Sequence, residues 1–266
     1  MQVFGYFAAF FIGLSLGLIG GGGSILTVPV LVYLFGISPL LATSYSLLVV
    51  GLTSLVAGVQ CVYKQTVDYK TVSLFGLPSV ITVLITRRLI LPAMPGELHF
   101  MNYHVSLGIL TMLLFATLMV ISAFSMISRA PVTFKNQRKG RVVKLILLGI
   151  LVGLITGFLG AGGGFLLIPA LVLLLHLPMQ KAIGTSLVII AVNSLVGYIA
   201  DLGHIQADYL FLFTIVMIAI AGVYTGGRLN RKMDAQLLKS GFGWFVLAIG
   251  CFIFIKELML LSSSSA

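Results

Sequence analysis

Acidic side chains are scarce in this chain. Six occur in 266 residues, Asp68, Glu97, Asp201, Asp208, Asp234 and Glu257, and all lie at or near the ends of apolar stretches. With no carboxylate at the middle of an apolar run, a cation carrier would have only carbonyls and hydroxyls to work with. Cysteine is scarce too. Cys61 and Cys251 both sit in apolar surroundings, and none of the four histidines pairs with a cysteine at ligand spacing, which argues against a disulfide framework or a metal site. The chain also lacks the P-loop signature of nucleotide hydrolysis and the HExxH and GxSxG patterns of common hydrolases. No nucleophile–base pair is legible, so no enzyme activity and no cofactor are expected.

Apolar residues dominate instead. They make up 59% of the chain against 8% charged residues, with a mean hydropathy of +1.17. A soluble domain carries about 25% charged residues, so the chain reads as an integral membrane protein. Its net charge of +10 comes from basic residues gathered between apolar spans. That is a topology signal and an attraction to anionic lipid, and nucleic acid is not expected as a partner. The N-terminus has no basic stretch and no cleavage site, and reads as a retained membrane segment.

Self-comparison reveals a duplication. Gly20 to Pro29 reads GGGGSILTVP and Gly160 to Pro169 reads GAGGGFLLIP, a shift of 169 − 29 = 140 residues. The same shift, without a gap, pairs Gly17 with Gly157, Ala42 with Ala182, and Ser46-Leu47 with Ser186-Leu187. It also pairs Ser54-Leu55-Val56 with Ser194-Leu195-Val196, Asp68-Tyr69 with Asp208-Tyr209, and Arg88 with Arg228. The chain therefore divides into a membrane repeat over 1–128, a basic linker over 129–144 and a second membrane repeat over 145–266.

Each repeat contains a glycine-broken apolar segment (3–35 and 145–176) followed by three apolar spans. The linker carries Arg129, Lys135, Arg138, Lys139, Arg141 and Lys144 with no acid, and the positive-inside rule makes it cytoplasmic. A second basic cluster, Arg228, Arg231, Lys232 and Lys239, belongs on the same face. Two spans separate the clusters, so the broken segment must enter and leave on one side. Its arms look too short to cross, since a full span needs about 20 residues. Each repeat then makes an odd number of crossings, and the halves are opposite in orientation. The expected fold is all-α and membrane-embedded. It has two inverted repeats of about four helical elements each, with glycine-broken re-entrant or half-helix hairpins meeting near the midplane, an arrangement that recurs in secondary transporters. Arg87 and Arg88 read as interface anchors, and no Lys or Arg is expected in mid-span.

A half-helix that starts inside the membrane presents N–H groups and a positive dipole end, and successive glycines form an anion nest. Gly21, Gly22, Gly23 and Ser24, with Gly162, Gly163 and Gly164, are thus candidate anion ligands; close helix packing is the competing use of glycine. Ser44 and Ser46, with Thr185 and Ser186, open the next helix and can donate to an oxyanion or cap the helix. Asn193 adds a donor in mid-span, with Ser194 beside it and Thr53 and Ser54 opposite. Asp68 and Asp208 precede a helix in both halves, where they cap it or serve gating and coupling. Asp201 has no acidic twin, since Cys61 holds the equivalent position, and is a further coupling candidate.

Gly153 to Gly197, GLITGFLGAGGGFLLIPALVLLLHLPMQKAIGTSLVIIAVNSLVG, resembles the glycine motif, proline and GTS element of TauE/SafE sulfite-exporter membrane proteins. The first half resembles the same element but has Ala42-Thr43-Ser44-Tyr45-Ser46 in place of GTS. The resemblance implies export of sulfur oxyanions or organosulfonates such as sulfite or sulfoacetate, with the hairpin tips, Thr185 and Ser186 as ligands. Expected partners are a small anionic substrate, the lipid bilayer of a bacterial inner membrane and a coupling ion, proton or sodium; an oligomer is compatible with the sequence. Another small anion or organic acid, or a non-transporting accessory subunit, is the alternative.

Overall fold

The computed structural model describes residues 2–21, 23–94, 97–100, 103–127, 141–175, 177–203, 205, 207–229 and 235–263. Gly22, most of the basic linker, and Arg231 and Lys232 of the second basic cluster lie outside the described residues.

The first half contains α1 (Gln2–Ile19), α2 (Ser24–Tyr33) and α3 (Pro39–Tyr63). A continuous rod over Tyr69–Ala93 follows, made of α4 (Tyr69–Thr71), α5 (Leu77–Ile85) and α6 (Leu91–Ala93). Two π-helical turns, Val72–Gly76 and Thr86–Ile90, join its pieces. A small antiparallel hairpin, β1 (Glu97–Phe100) with β2 (Tyr103–Ser106), leads into α7 (Leu107–Ile127). The second half repeats the order: α8 (Arg141–Leu159), α9 (Gly164–Leu175), α10 (Met179–Asp201), α11 (Tyr209–Leu229) and α12 (Ala235–Ser263). Among the described residues, seven helices are long and apolar enough to cross a membrane. At 1.5 Å per residue a 25-residue helix such as α3 is about 37 Å long, more than the roughly 30 Å hydrocarbon core. The outer surface of the helices is rich in large exposed apolar groups, among them Phe4 and Phe11 of α1, Leu210 and Phe213 of α11 and Phe252 of α12.

The two halves exchange contacts residue by residue. A Cβ built on Gly13 of α1 would meet the Ala219 carbonyl of α11, and one on Gly153 of α8 would meet the Ser79 carbonyl of α5. Gly13 and Gly153 are repeat equivalents, as are Ala219 and Ser79. The central pair, α3 and α10, packs antiparallel, with Gly51 against Leu195 and Gly58 against Val188. The same holds for α7 and α12, where Gly243 faces Met126 and Gly250 faces Met119. Small residues allow this backbone-to-backbone approach, which supplies the packing energy that apolar burial cannot supply in lipid.

The hairpins differ from expectation in one respect. Their second arms are short, 10 residues in α2 and 12 in α9, but the first arms are longer than the sequence suggested. The α1 helix has 18 residues and α8 has 19, and Val142–Leu159 counts among the seven spanning candidates. The α8 helix begins at Arg141, inside the stretch assigned to the linker. Lys and Arg are good helix formers, and their charged ends reach the interface while their stems remain in the apolar layer.

Candidate functional site

Both glycine runs reverse the chain. Gly20, Gly160, Gly162 and Gly163 have φ of +84°, +66°, +66° and +69°, a region that side chains with a Cβ rarely enter. In the first copy the chain folds back until Gly23 lies on α1: an added Cβ would be 2.5 Å from the Ile12 carbonyl oxygen. Its equivalent, Gly163, lies on α8 beside Thr156 and Val152. The two tips touch. A Cβ on Gly164 would be 2.6 Å from the Gly21 carbonyl oxygen, and one on Gly21 would be 3.0 Å from the Gly164 oxygen. Each tip also rests on the other half's long helix, Gly20 on Ile183 and Gly160 on Thr43, which are again repeat equivalents. Ser24 Oγ donates to the Gly21 carbonyl at 2.9 Å and closes the first turn.

Buried hydroxyls occur on α3 and α10, and one of them, on Ser194, meets the second tip. Ser46, Ser54 and Ser194 are completely buried, and their Oγ atoms have no hydrogen-bond partner among the described residues. A Cβ on Gly162 would approach Ser194 Oγ to 3.0 Å, and one on Gly163 would approach the unpartnered Thr156 Oγ1 to 2.4 Å. Asn193 Nδ2 donates to Ser79 Oγ at 2.6 Å, which leaves its Oδ1 without a partner. Ser186 Oγ donates back to the Ile183 carbonyl at 2.9 Å. An unsatisfied buried hydroxyl costs free energy, and a ligand that accepts its proton recovers it.

Thr185 is placed differently. Its Oγ1 accepts the Asp68 backbone N–H at 2.9 Å, and at the equivalent point in the other half the Tyr45 hydroxyl accepts the Asp208 N–H at 2.9 Å. These two bonds clasp the halves together. The Asp68 carboxylate accepts from Thr71 Oγ1 at 2.6 Å, and that of Asp208 caps α11 through the Phe211 N–H at 3.1 Å. Tyr45 and Asp208 also line an open cavity of about 580 Å³ with Tyr33, Leu41 and Phe211.

Arg87 requires a correction. It is no interface anchor: it sits in the second π-helical turn with 2% exposure, and its Nη1 pairs with Asp201 Oδ2 at 2.8 Å. Ser44 Oγ donates to the same carboxylate oxygen and lies 3.2 Å from Arg87 Nη1. This is the one ion pair among the described residues. The cluster abuts the second hairpin, because Gly157 packs on Thr86, next to Arg87, and Gly160 packs on Thr43, next to Ser44. The structure thus brings Ser44 and Asp201 together, keeps Asp68 and Asp208 apart from them in the clasps, and adds an arginine that hydropathy placed outside. One signal was available: Ser44, Arg87 and Asp201 are three polar positions whose repeat equivalents are Gly184, Gly227 and Cys61.

Spanning helices, paired glycine breaks and a buried polar junction define the class: an integral membrane transporter. The chain belongs to the sulfite exporter TauE/SafE family, which it matches over residues 6–253. It is similar to a probable membrane transporter protein of Xylella fastidiosa (strain Temecula1), with 31% identity over 258 residues covering 91% of this chain and 90% of the relative. It also resembles the probable membrane transporter protein YunE of Bacillus subtilis (strain 168), with 28% identity over 256 residues covering 88% and 90%. No solved structure matches the chain.

Proposed function

We propose that the protein exports a small sulfur-containing anion, sulfite or an organosulfonate, across a bacterial inner membrane. In this reading the anion is held where the two hairpin tips meet, by half-helix N-termini and hydroxyls. The observation that carries it is the backbone-to-backbone meeting of Gly21 and Gly164, with the completely buried, unpartnered hydroxyl of Ser194 on α10 against Gly162 of the same tip. Neutral donors hold an anion without trapping it, which turnover requires. The antiparallel packing of α3 on α10 supports inverted halves, and three long helices after each hairpin supply the odd number of crossings. With the basic clusters cytoplasmic, the Tyr45–Asp208 clasp and the 580 Å³ cavity face outward and the Thr185–Asp68 clasp faces inward. Alternating access then consists of rocking about the tips while one clasp opens.

Radiolabelled sulfite flux in proteoliposomes tests this, with sulfate, taurine, sulfoacetate, acetate and chloride as competitors. Flux blocked by sulfonates and insensitive to chloride is expected, and imposed proton and sodium gradients identify the coupling ion. A folded protein that moves none of these anions overturns the sulfur assignment and favours the accessory-subunit reading.

A further inference from the structure

The guanidinium of Arg87 is used on one side only. Nη1 faces Asp201 and Ser44, whereas Nε and Nη2 have no hydrogen-bond partner among the described residues, although the side chain is fully buried. These two nitrogens form one edge of the planar group, a fork whose parallel N–H bonds match two oxygens of a single oxyanion. Burying such donors unpaired is costly, and burying a charge half-paired more so. Ordinary ion pairing would have turned the fork towards the carboxylate. Here the carboxylate takes Nη1 and is itself held by the Ser44 hydroxyl, so the fork stays free. The π-helical turn Thr86–Ile90 carries the residue, and such insertions are enriched at functional positions. Tyr198, on the α10 turn preceding Asp201, adds a buried hydroxyl with no partner among the described residues.

We infer that Arg87 is an anion ligand: its Nε–Nη2 edge receives the transported oxyanion at the second hairpin tip, and Asp201 and Ser44 orient it. This deepens the anion-transport reading and rests on it. The transported species then needs at least two oxygens on one centre, as a sulfite, sulfonate or carboxylate has. A halide does not qualify. Asp201 plays two parts, since it fixes the guanidinium and also opposes a second negative charge beside it, which keeps the anion releasable.

The test is equilibrium binding of radiolabelled sulfite to the intact protein in lipid nanodiscs, with thermal unfolding as the check on the fold. Arg87→Gln combined with Asp201→Asn keeps the site neutral and is expected to weaken binding by about tenfold or more, the loss of a charge-assisted fork. Asp201→Asn alone is expected to tighten binding, because the guanidinium keeps its place and loses its competitor. Arg87→Lys keeps the charge without the fork and is expected to bind sulfite more weakly than the wild type and to discriminate less between sulfite and chloride. An ion pair that only holds helices together predicts a different pattern: unchanged affinity in all three variants, whatever their melting temperatures. Folded Arg87→Gln/Asp201→Asn protein with wild-type affinity overturns this inference alone. Wild-type protein that binds no sulfite, fold intact, overturns the anion reading as well.

Discussion

The two halves of this protein share a scaffold and differ in chemistry at one point. At the end of the molecule where α3 starts and α10 stops, Ser44, Arg87 and Asp201 form a buried charged cluster. The equivalent positions at the opposite end are Gly184, Gly227 and Cys61. Gly184 packs there against Thr66 and Cys61, with no charge in the group. Elsewhere the equivalence is close: Gly20 on Ile183 matches Gly160 on Thr43, and the Asp68–Thr185 clasp matches Asp208–Tyr45. Symmetric packing lets two conformations have similar free energy, as alternation requires. A charged group on one side makes the two unequal for an anion. Under the proposed anion transport, duplication supplies the alternation and divergence at three positions supplies a direction.

The largest expected effect comes from splitting the charged pair. Arg87→Gln alone leaves Asp201 buried with only Ser44 as partner, and a single unpaired buried charge costs about 3–5 kcal/mol. Adding Asp201→Asn removes that penalty, so the double variant should recover most of the melting temperature. Thermal unfolding of both single variants and the double gives the coupling directly. Additive losses would mean the two residues act separately and would remove the contrast between the ends.

Next come the tips. Gly160→Ala forces a positive φ and drives a Cβ to 2.2 Å from the Thr43 carbonyl oxygen, which is backbone and cannot step aside. Gly20→Ala forces the same conformation but meets the Cγ2 of Ile183 at 2.2 Å, a branch methyl that is stiff at χ1 yet gives more readily than backbone. The expected costs are about 2–4 kcal/mol at 160 and about 1–2 kcal/mol at 20. Flux and melting temperature measured side by side check the order. Equal losses would show that strain, common to both, outweighs contact.

Much of this was legible in the sequence, because duplication converts a weak glycine signal into a repeated one. The break positions, the helices after them and the hydroxyls near their starts all follow from register and hydropathy. The burial of Arg87 does not, since its partner is 114 positions away on a helix of the other half. Locally, Arg87 and Arg88 look like any basic pair near a span end. Only the π-helical turn and the packing of α8 on Thr86 place one of them inward. The role of Thr185 was hidden for the same reason. A hydroxyl near a helix start can face a ligand or a neighbouring backbone, and the choice is made by the opposite repeat. The lengths of α1 and α8 escaped because basic residues at a membrane edge resemble a linker in composition while remaining good helix formers.

The smallest expected effect separates the two clasps. Thr185→Val deletes the fully buried acceptor of the Asp68 N–H, and the half-buried donor loses its partner where water has restricted access. Stranding a buried donor costs about 1–3 kcal/mol. Tyr45→Phe deletes the acceptor of the Asp208 N–H, but that hydroxyl lines the open cavity, where water can take its place. Its cost should therefore stay below about 1 kcal/mol, the value of an ordinary exchangeable hydrogen bond. Amide hydrogen exchange at Asp68 and Asp208 distinguishes the two more finely than melting does. Protection at Asp68 should fall sharply in Thr185→Val, while that at Asp208, already low in the wild type, should barely change in Tyr45→Phe. The Tyr45–Asp208 clasp is then the looser one, and under the proposed transport the protein opens more readily on the side that carries the charged cluster. Equal protection in the wild type would place both clasps at the same strength and leave Arg87 and Asp201 as the sole source of asymmetry between the ends.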